Sequence, residues 1–133
     1  MSAARQRAMP GANARRAAAE RRGRRAEAWA AWLLRLKGYR VLARRWRGRS
    51  GEIDLIARRG RILAVIEVKA RGDEATAAGS VLAKGRQRIG RAAAEYLAGR
   101  PDLAGLDVRF DVVMASPRRL PRHLPDAWRP ESR

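Results

Sequence analysis

The sequence has no cysteine among its 133 residues. Disulfide scaffolds, thiolate-bound zinc and thiol nucleophiles are thereby excluded, and the absence agrees with a reducing compartment. No apolar run approaches the ~20 residues needed to span a bilayer. The N-terminal arginines are not followed by the uninterrupted apolar stretch of a secretory signal. A cytoplasmic, bacterial-type protein with no membrane partner is therefore expected. His123 is the only histidine and lies in a Pro-rich stretch, poor ground for a general base, so it receives no role. There is no internal repeat, and the length suits one domain with one core.

Acidic residues are also few. Thirteen Asp+Glu face 31 Lys+Arg, for a formal net charge of +18. Residues 1–25 carry eight Arg and one Glu, residues 116–133 five Arg and two acids, and the middle remains basic. Such a field attracts polyanions, of which nucleic acid is the commonest in a cell. Richness in Arg and Ala as a compositional bias is the competing explanation, and charge does not separate DNA from RNA.

Residues 1–22 hold little that could be buried and read as a mobile basic arm. A helical pattern runs from Gly23 to Lys37, with Trp29, Trp32, Leu33 and Leu36 as its apolar stripe. Gly38 suits the position just past its end. Glu27 lies off that stripe, level with Ala30, Ala31 and Leu34. Strands follow at Tyr39–Trp46, Glu52–Ala57 and Ile62–Ala70, forming an antiparallel meander. After a loop at 72–79, a helix is expected from Ser80 to Ala98, weakened by Gly85 and Gly90. A fourth strand follows at 106–114, parallel to the third across the helical crossover. Residues 116–133 read as a tail without a core of its own, tacked down at Trp128. The order αβββαβ describes an α/β domain over residues 23–115, a mixed four-stranded sheet flanked by helices.

The stretch Gly51–Arg71, GEIDLIARRGRILAVIEVKAR, sets charge where a strand should be apolar. A two-residue turn at Arg59-Gly60 would pair Ile56 with Leu63, Asp54 with Val65 and Glu52 with Glu67. Asp54, Glu67 and Lys69 would then share a face, with Asp54 and Glu67 as diagonal neighbours. Carboxylates so close repel one another, and a divalent cation relieves them. Mg²⁺, or Mn²⁺, prefers hard oxygen donors. Asp54, Glu67 and the Val68 backbone carbonyl would form a partial shell. Lys69 would orient the attacking water and balance charge growing on a phosphorane. The alternative is a surface hairpin whose charges pair across strands. Ile53, Leu55, Ile62, Val65, Ile66 and Val68 crowd both faces, which favours a covered strand where charge needs compensation.

Asp54 followed thirteen residues later by Glu67-Val68-Lys69, within αβββαβ, resembles the PD-(D/E)XK nuclease fold of restriction enzymes and Holliday-junction resolvases. More narrowly, GEIDLIA (51–57), VIEVKAR (65–71), AAAEYLA (92–98) and RFDVV (109–113) resemble the YraN-like family of small bacterial proteins. So do the helix-to-strand stretch 26–47 and PDAW (125–128). The resemblance spans Gly23 to Trp128. It implies that Asp54 and Glu67 are metal ligands and Lys69 the catalytic lysine. Glu27 matches the acid that some nucleases of this fold add from their first helix. Gln87 is a candidate helix polar residue, although KGRQRI (84–89) sets it one position later than the usual pattern. That slip turns a helical side chain by ~100°. Glu52 is either a supporting residue or an ion-pair partner, and Asp111 a structural group or arginine partner. Arg44, Arg45, Arg47, Lys84 and Arg88 would grip phosphates.

The expected function is a Mg²⁺-dependent nuclease acting on nucleic acid, with DNA the expected form. Selection by structure is expected, since no module for reading base edges is evident. A non-catalytic nucleic-acid-binding module that keeps the fold is the alternative. A homodimer is compatible with these features but not derivable from them.

Overall fold

The computed structural model describes residues 10–70, 81–116 and 118–130. In chain order these form α1 (Pro10–Leu36), β1 (Arg40–Arg47), β2 (Glu52–Arg59), β3 (Ile62–Ala70), α2 (Val81–Ala98), a 3-10 turn (Pro101–Leu103), β4 (Asp107–Ser116) and β5 (Arg119–Trp128). The strands make an open five-stranded sheet in the order β1-β2-β3-β4-β5. Neighbours are antiparallel except β3 and β4, which run parallel across the α2 crossover as expected. No helix among the described residues is long and apolar enough to cross a membrane.

Each face of the sheet has its own helix. Ala92, Ala93 and Tyr96 of α2 pack on Ile53, Ile56, Leu63, Val65 and Phe110. On the other face, Ala30, Ala31 and Leu34 of α1 pack on Leu55, Ala57, Ala64, Ile66 and Val113. β2 and β3 are thus apolar on both sides because both sides are covered. The site hairpin is central, not superficial.

Helix α1 departs from expectation twice. It begins at Pro10 rather than near Gly23. Proline is tolerated in a first turn, where its missing N–H has no helical partner. Residues 1–9 of the expected arm, and the expected loop at 72–79, lie outside the described residues. The second departure is rotational. Trp29 and Trp32 are 44% and 42% exposed and Leu36 is exposed, while Glu27, Ala30, Ala31 and Leu34 are buried. The large residues were expected to face the core, yet small alanines let the helix backbone lie close to the sheet. The two indoles instead meet edge to face on the outer side, 5.8 Å between centroids.

The end of α1 follows expectation. Gly38 has φ +90, its N–H bonds to the Arg35 carbonyl, and the Tyr39 N–H reaches back to Leu34. These two bonds form a Schellman cap, with Leu34 and Tyr39 in one cluster. It aims the chain into β1.

The largest difference lies in residues 119–128, expected as tail and found as β5, antiparallel to β4. Pro121 and Pro125 do not break it because β5 is an edge strand, with a neighbour on one side only. Trp128 does fasten the end of the chain as expected: it is buried, with its ring 4.5 Å from Phe110 between centroids.

Candidate active site

The β2–β3 turn is Gly60-Arg61, one residue beyond the expected position. Gly60 has φ +61, the conformation that a two-residue hairpin of type II′ places at its first position. The pairing becomes Ile56 with Val65 and Leu55 with Ile66, a shift of two residues from expectation. A shift of two preserves side-chain parity. Ile56, Leu63 and Val65 therefore keep the common face expected of them, and the same register sets Asp54 level with Glu67 instead of diagonal to it.

Just there the sheet forks. The β2–β3 ladder ends at Leu55–Ile66, whereas β2 stays paired to β1 as far as Glu52 and β3 to β4 as far as Ala70. Asp54 and Glu67 sit where the two halves part. Asp54 Oδ2 accepts the Val68 N–H at 2.8 Å, a carboxylate in place of a backbone rung. Within a strand the N–H and C=O of one residue point the same way, so the Val68 carbonyl is also directed toward β2. The alternation of faces slips at Asp54: Ile53 and Ile56 share the cluster under α2, while Leu55 joins that under α1. Across the ladder, Arg45 lies between Arg44, opposite Leu55, and Trp46, opposite Ile53. It has φ +53, uncommon for a non-glycine residue. This kink carries Arg45 toward α1, where its Nε lies 2.9 Å from the Glu27 carboxylate.

The electrostatics follow from this placement. Burial pushes Asp54 up to about 6; the Val68 N–H opposes the rise, and repulsion from Glu27, Glu67 and Glu52 adds to it. Lys69 Nζ lies 3.1 Å from Glu67 Oε2. The Glu27 side chain is 8% exposed against Arg45, and Glu52 pairs with Arg47 at 2.9 Å. The structure thus gathers Asp54, Glu67, Lys69 and Glu27 at the fork, with Glu52 at its rim. Among the described residues, no group of three acidic or histidine side chains is poised to chelate an ion. Lys69 and Arg45 hold two of the carboxylates instead.

The remaining candidates are dispersed. Arg44, Arg45 and Arg47 lie exposed on β1, and Gln87 and Arg88 exposed on α2. Among the described residues Gln87 has no hydrogen bond to the fork. The Lys84 side chain lies outside the described residues. Arg24 was not anticipated; it lines a cleft with Arg45, Arg47 and Glu52. Its spacing from Glu27, three residues back on a helix, was the available signal. Glu95 was likewise missed. It accepts the Arg49 and Ser50 amides at 2.9 and 2.8 Å, pinning the β1–β2 turn to α2. The Ser50 hydroxyl and those amides hold its carboxyl below the usual range.

A second buried carboxylate sits away from the fork. Asp111 accepts Arg109 Nε and Nη2 at 2.8 and 2.7 Å and the Asp126 amide at 2.9 Å. His123 Nε2 completes the set at 2.8 Å. The Lys37 ammonium, a donor only, faces His123 Nδ1, which fixes the imidazole proton on Nε2. Asp111 is an arginine partner as expected. His123, which was given no role, ties β5 to β4.

Residues 26–115 match the model of the uncharacterised protein family UPF0102. The chain belongs to the UPF0102 family. A UPF0102 protein of Parvibaculum lavamentivorans is 60% identical over 113 residues, 85% of either chain. One from Agrobacterium fabrum is 50% identical over 121 residues, covering 91% of this chain and 99% of its own. The YraN-like resemblance therefore holds at the level of the family.

Proposed function

We propose that this UPF0102 protein is a metal-dependent nuclease with a PD-(D/E)XK-like core, hydrolysing phosphodiester bonds in DNA by structure rather than by base sequence. One observation carries the proposal: the β2–β3 ladder parts where Asp54 and Glu67 stand level, with Asp54 held only by the Val68 amide and Lys69 on Glu67, and burial with three like charges pushes Asp54 up to about 6. A purely structural carboxylate is normally given donors that hold it ionised. The donor chemistry suits Mg²⁺ or Mn²⁺, since Asp54, Glu67, the Val68 carbonyl and Glu27 all offer hard oxygens. When bound, such an ion supplies charge neutralisation and an activated water.

The protein's own groups define the rest. Asp54 and Glu67 would hold the cation, and Glu27 would add a ligand once parted from Arg45. Lys69, already 3.1 Å from Glu67, is carried on a covered strand. It would exchange the carboxylate for the scissile phosphate and offset the negative charge that grows there. Arg44, Arg45 and Arg47 on β1 would anchor the backbone on either side.

The test is to incubate branched, single-stranded and duplex DNA with Mg²⁺ or Mn²⁺. Cleavage by the wild type that disappears in Asp54→Ala and Lys69→Ala is expected. Cleavage that persists unchanged in both variants rejects the site. A non-catalytic nucleic-acid-binding module is the second reading, favoured by the protein partners that Glu67 and Glu27 already possess. It predicts salt-sensitive binding that survives Asp54→Ala, with no cleavage in either metal.

A further inference from the structure

We propose that Arg24, Arg45 and Arg47 form a binding site for one backbone phosphate of a nucleic acid, and that this phosphate competes with Glu27 for Arg45. The inference rests on the nucleic-acid part of the function above but does not require cleavage.

A cleft of about 550 Å³ is lined by Arg24 from α1, Arg45 and Arg47 from β1, and Glu52 from β2. Three guanidinium groups and one carboxylate line it, with Glu27 behind Arg45, and its volume admits a phosphodiester with its flanking sugars. Guanidinium forks match the paired oxygens of a phosphate. Three secondary-structure elements contribute, so the site is held by the fold and not by a flexible tail.

Its link to the fork is Arg45. The strained φ of +53 directs this side chain to α1, where it both lines the cleft and neutralises Glu27. Its side chain is 42% exposed, within reach of an incoming anion. Arg24 lies three residues before Glu27 and so on the same side of α1, one turn toward the N-terminus. Arg47 likewise lines the cleft and pairs with an acid, contacting Glu52 at 2.9 Å. The cleft's arginines are therefore the present partners of two of the carboxylates that raise Asp54. A phosphate that recruits Arg45 leaves Glu27 without its counter-charge beside Asp54. Occupation of the cleft and the Arg45–Glu27 pair are therefore coupled, and the coupling is reciprocal.

The experiment measures binding of a labelled single-stranded and a duplex oligonucleotide by fluorescence anisotropy across salt concentrations, in EDTA without metal. Arg24→Ala and Arg47→Ala are each expected to weaken binding several-fold and to reduce the slope of log affinity against log salt by about one. Arg40→Ala, exposed at the start of β1, is expected to retain the wild-type slope. Glu27→Gln should tighten binding by freeing Arg45, and the gain should vanish in the Glu27→Gln/Arg45→Ala double variant. Arg45→Lys should keep part of the affinity through its charge. Thermal melts establish that each variant is folded. Because the Arg47 side chain is 79% exposed, the test does not depend on Arg45 alone. Unchanged slopes in both Arg24→Ala and Arg47→Ala overturn the site. A Glu27→Gln gain of equal size without Arg45 overturns the competition. Either failure is distinct from failure of the nuclease, which is read from cleavage with metal.

Discussion

Asp54 and Asp111 are both carboxylates set into the interior of one sheet, and they are pushed in opposite directions. Burial works against ionisation at both. At Asp111 it is outweighed by hydrogen bonds from His123, Arg109 and the Asp126 amide, which bring the carboxyl down to about 2. Asp54 has one donor, the Val68 amide, and three acidic neighbours, and it rises to about 6. Depth of burial is therefore not what separates these two acids. The separation comes from the neighbours supplied: donors surround Asp111, whereas Asp54 has one amide and three acids around it.

The sharpest way to break this contrast is to remove each acid. Asp111→Ala strands Arg109 and His123 without their acceptor, and a loss of about 3–5 kcal/mol in denaturant unfolding is expected. Asp54→Asn keeps an oxygen for the Val68 amide and discharges the fork. It is expected to stabilise the fold at pH 7, on the order of 2 kcal/mol, while abolishing metal-dependent cleavage. Destabilisation by Asp54→Asn of the size seen for Asp111→Ala would make the two acids equivalent and remove the contrast.

Acidity resolves the pair further. The folded Asp54 value of about 6 lies above its ordinary 3.8. Its contribution to stability is full below pH 4 and is lost as pH rises to about 6. Asp111, at about 2 against 3.8, behaves in reverse: its contribution is full above pH 4 and is lost as pH falls to about 2. Unfolding measured from pH 2.5 to 8 should show the first loss absent in Asp54→Asn and the second absent in Asp111→Asn. The smallest effect concerns the neighbours. In an NMR titration Glu27→Gln should lower the Asp54 midpoint more than Glu52→Gln does, following the order of their repulsions, and neither should move Asp111.

The hairpin was legible in the sequence because its signals are local. Gly60, the two apolar runs and the spacing from Asp54 to Glu67 confine the register to a choice of turns, and a shift of two residues still left Ile56, Leu63 and Val65 on one face. The parallel β4 followed from the helical crossover. What stayed hidden depends on packing between distant segments. Proline normally argues against a strand, and β5 escapes that rule only by lying at an edge. The buried side of α1 was concealed because close approach to the sheet favours Ala30 and Ala31 over Trp29 and Trp32, against any ranking by hydrophobicity. No pattern announced the meeting of Asp111 with His123, twelve residues apart on neighbouring strands. Glu27 gained a role only through the family resemblance, and its pairing with Arg45 depends on the kink in β1, which no sequence pattern marks.

The same prolines and arginines bear on how the molecule behaves among its own copies. An open sheet has two borders, and a bare border can template a strand from another chain. On β5, Pro121 and Pro125 remove donors from the row a newcomer would need. On β1, exposed Arg40, Arg44, Arg45 and Arg47 would confront the same charges on a second copy. Both borders are thus poor seeds for strand-to-strand aggregation, and a protein rich in uncovered sheet edge can remain dispersed at concentration without closing its sheet into a barrel.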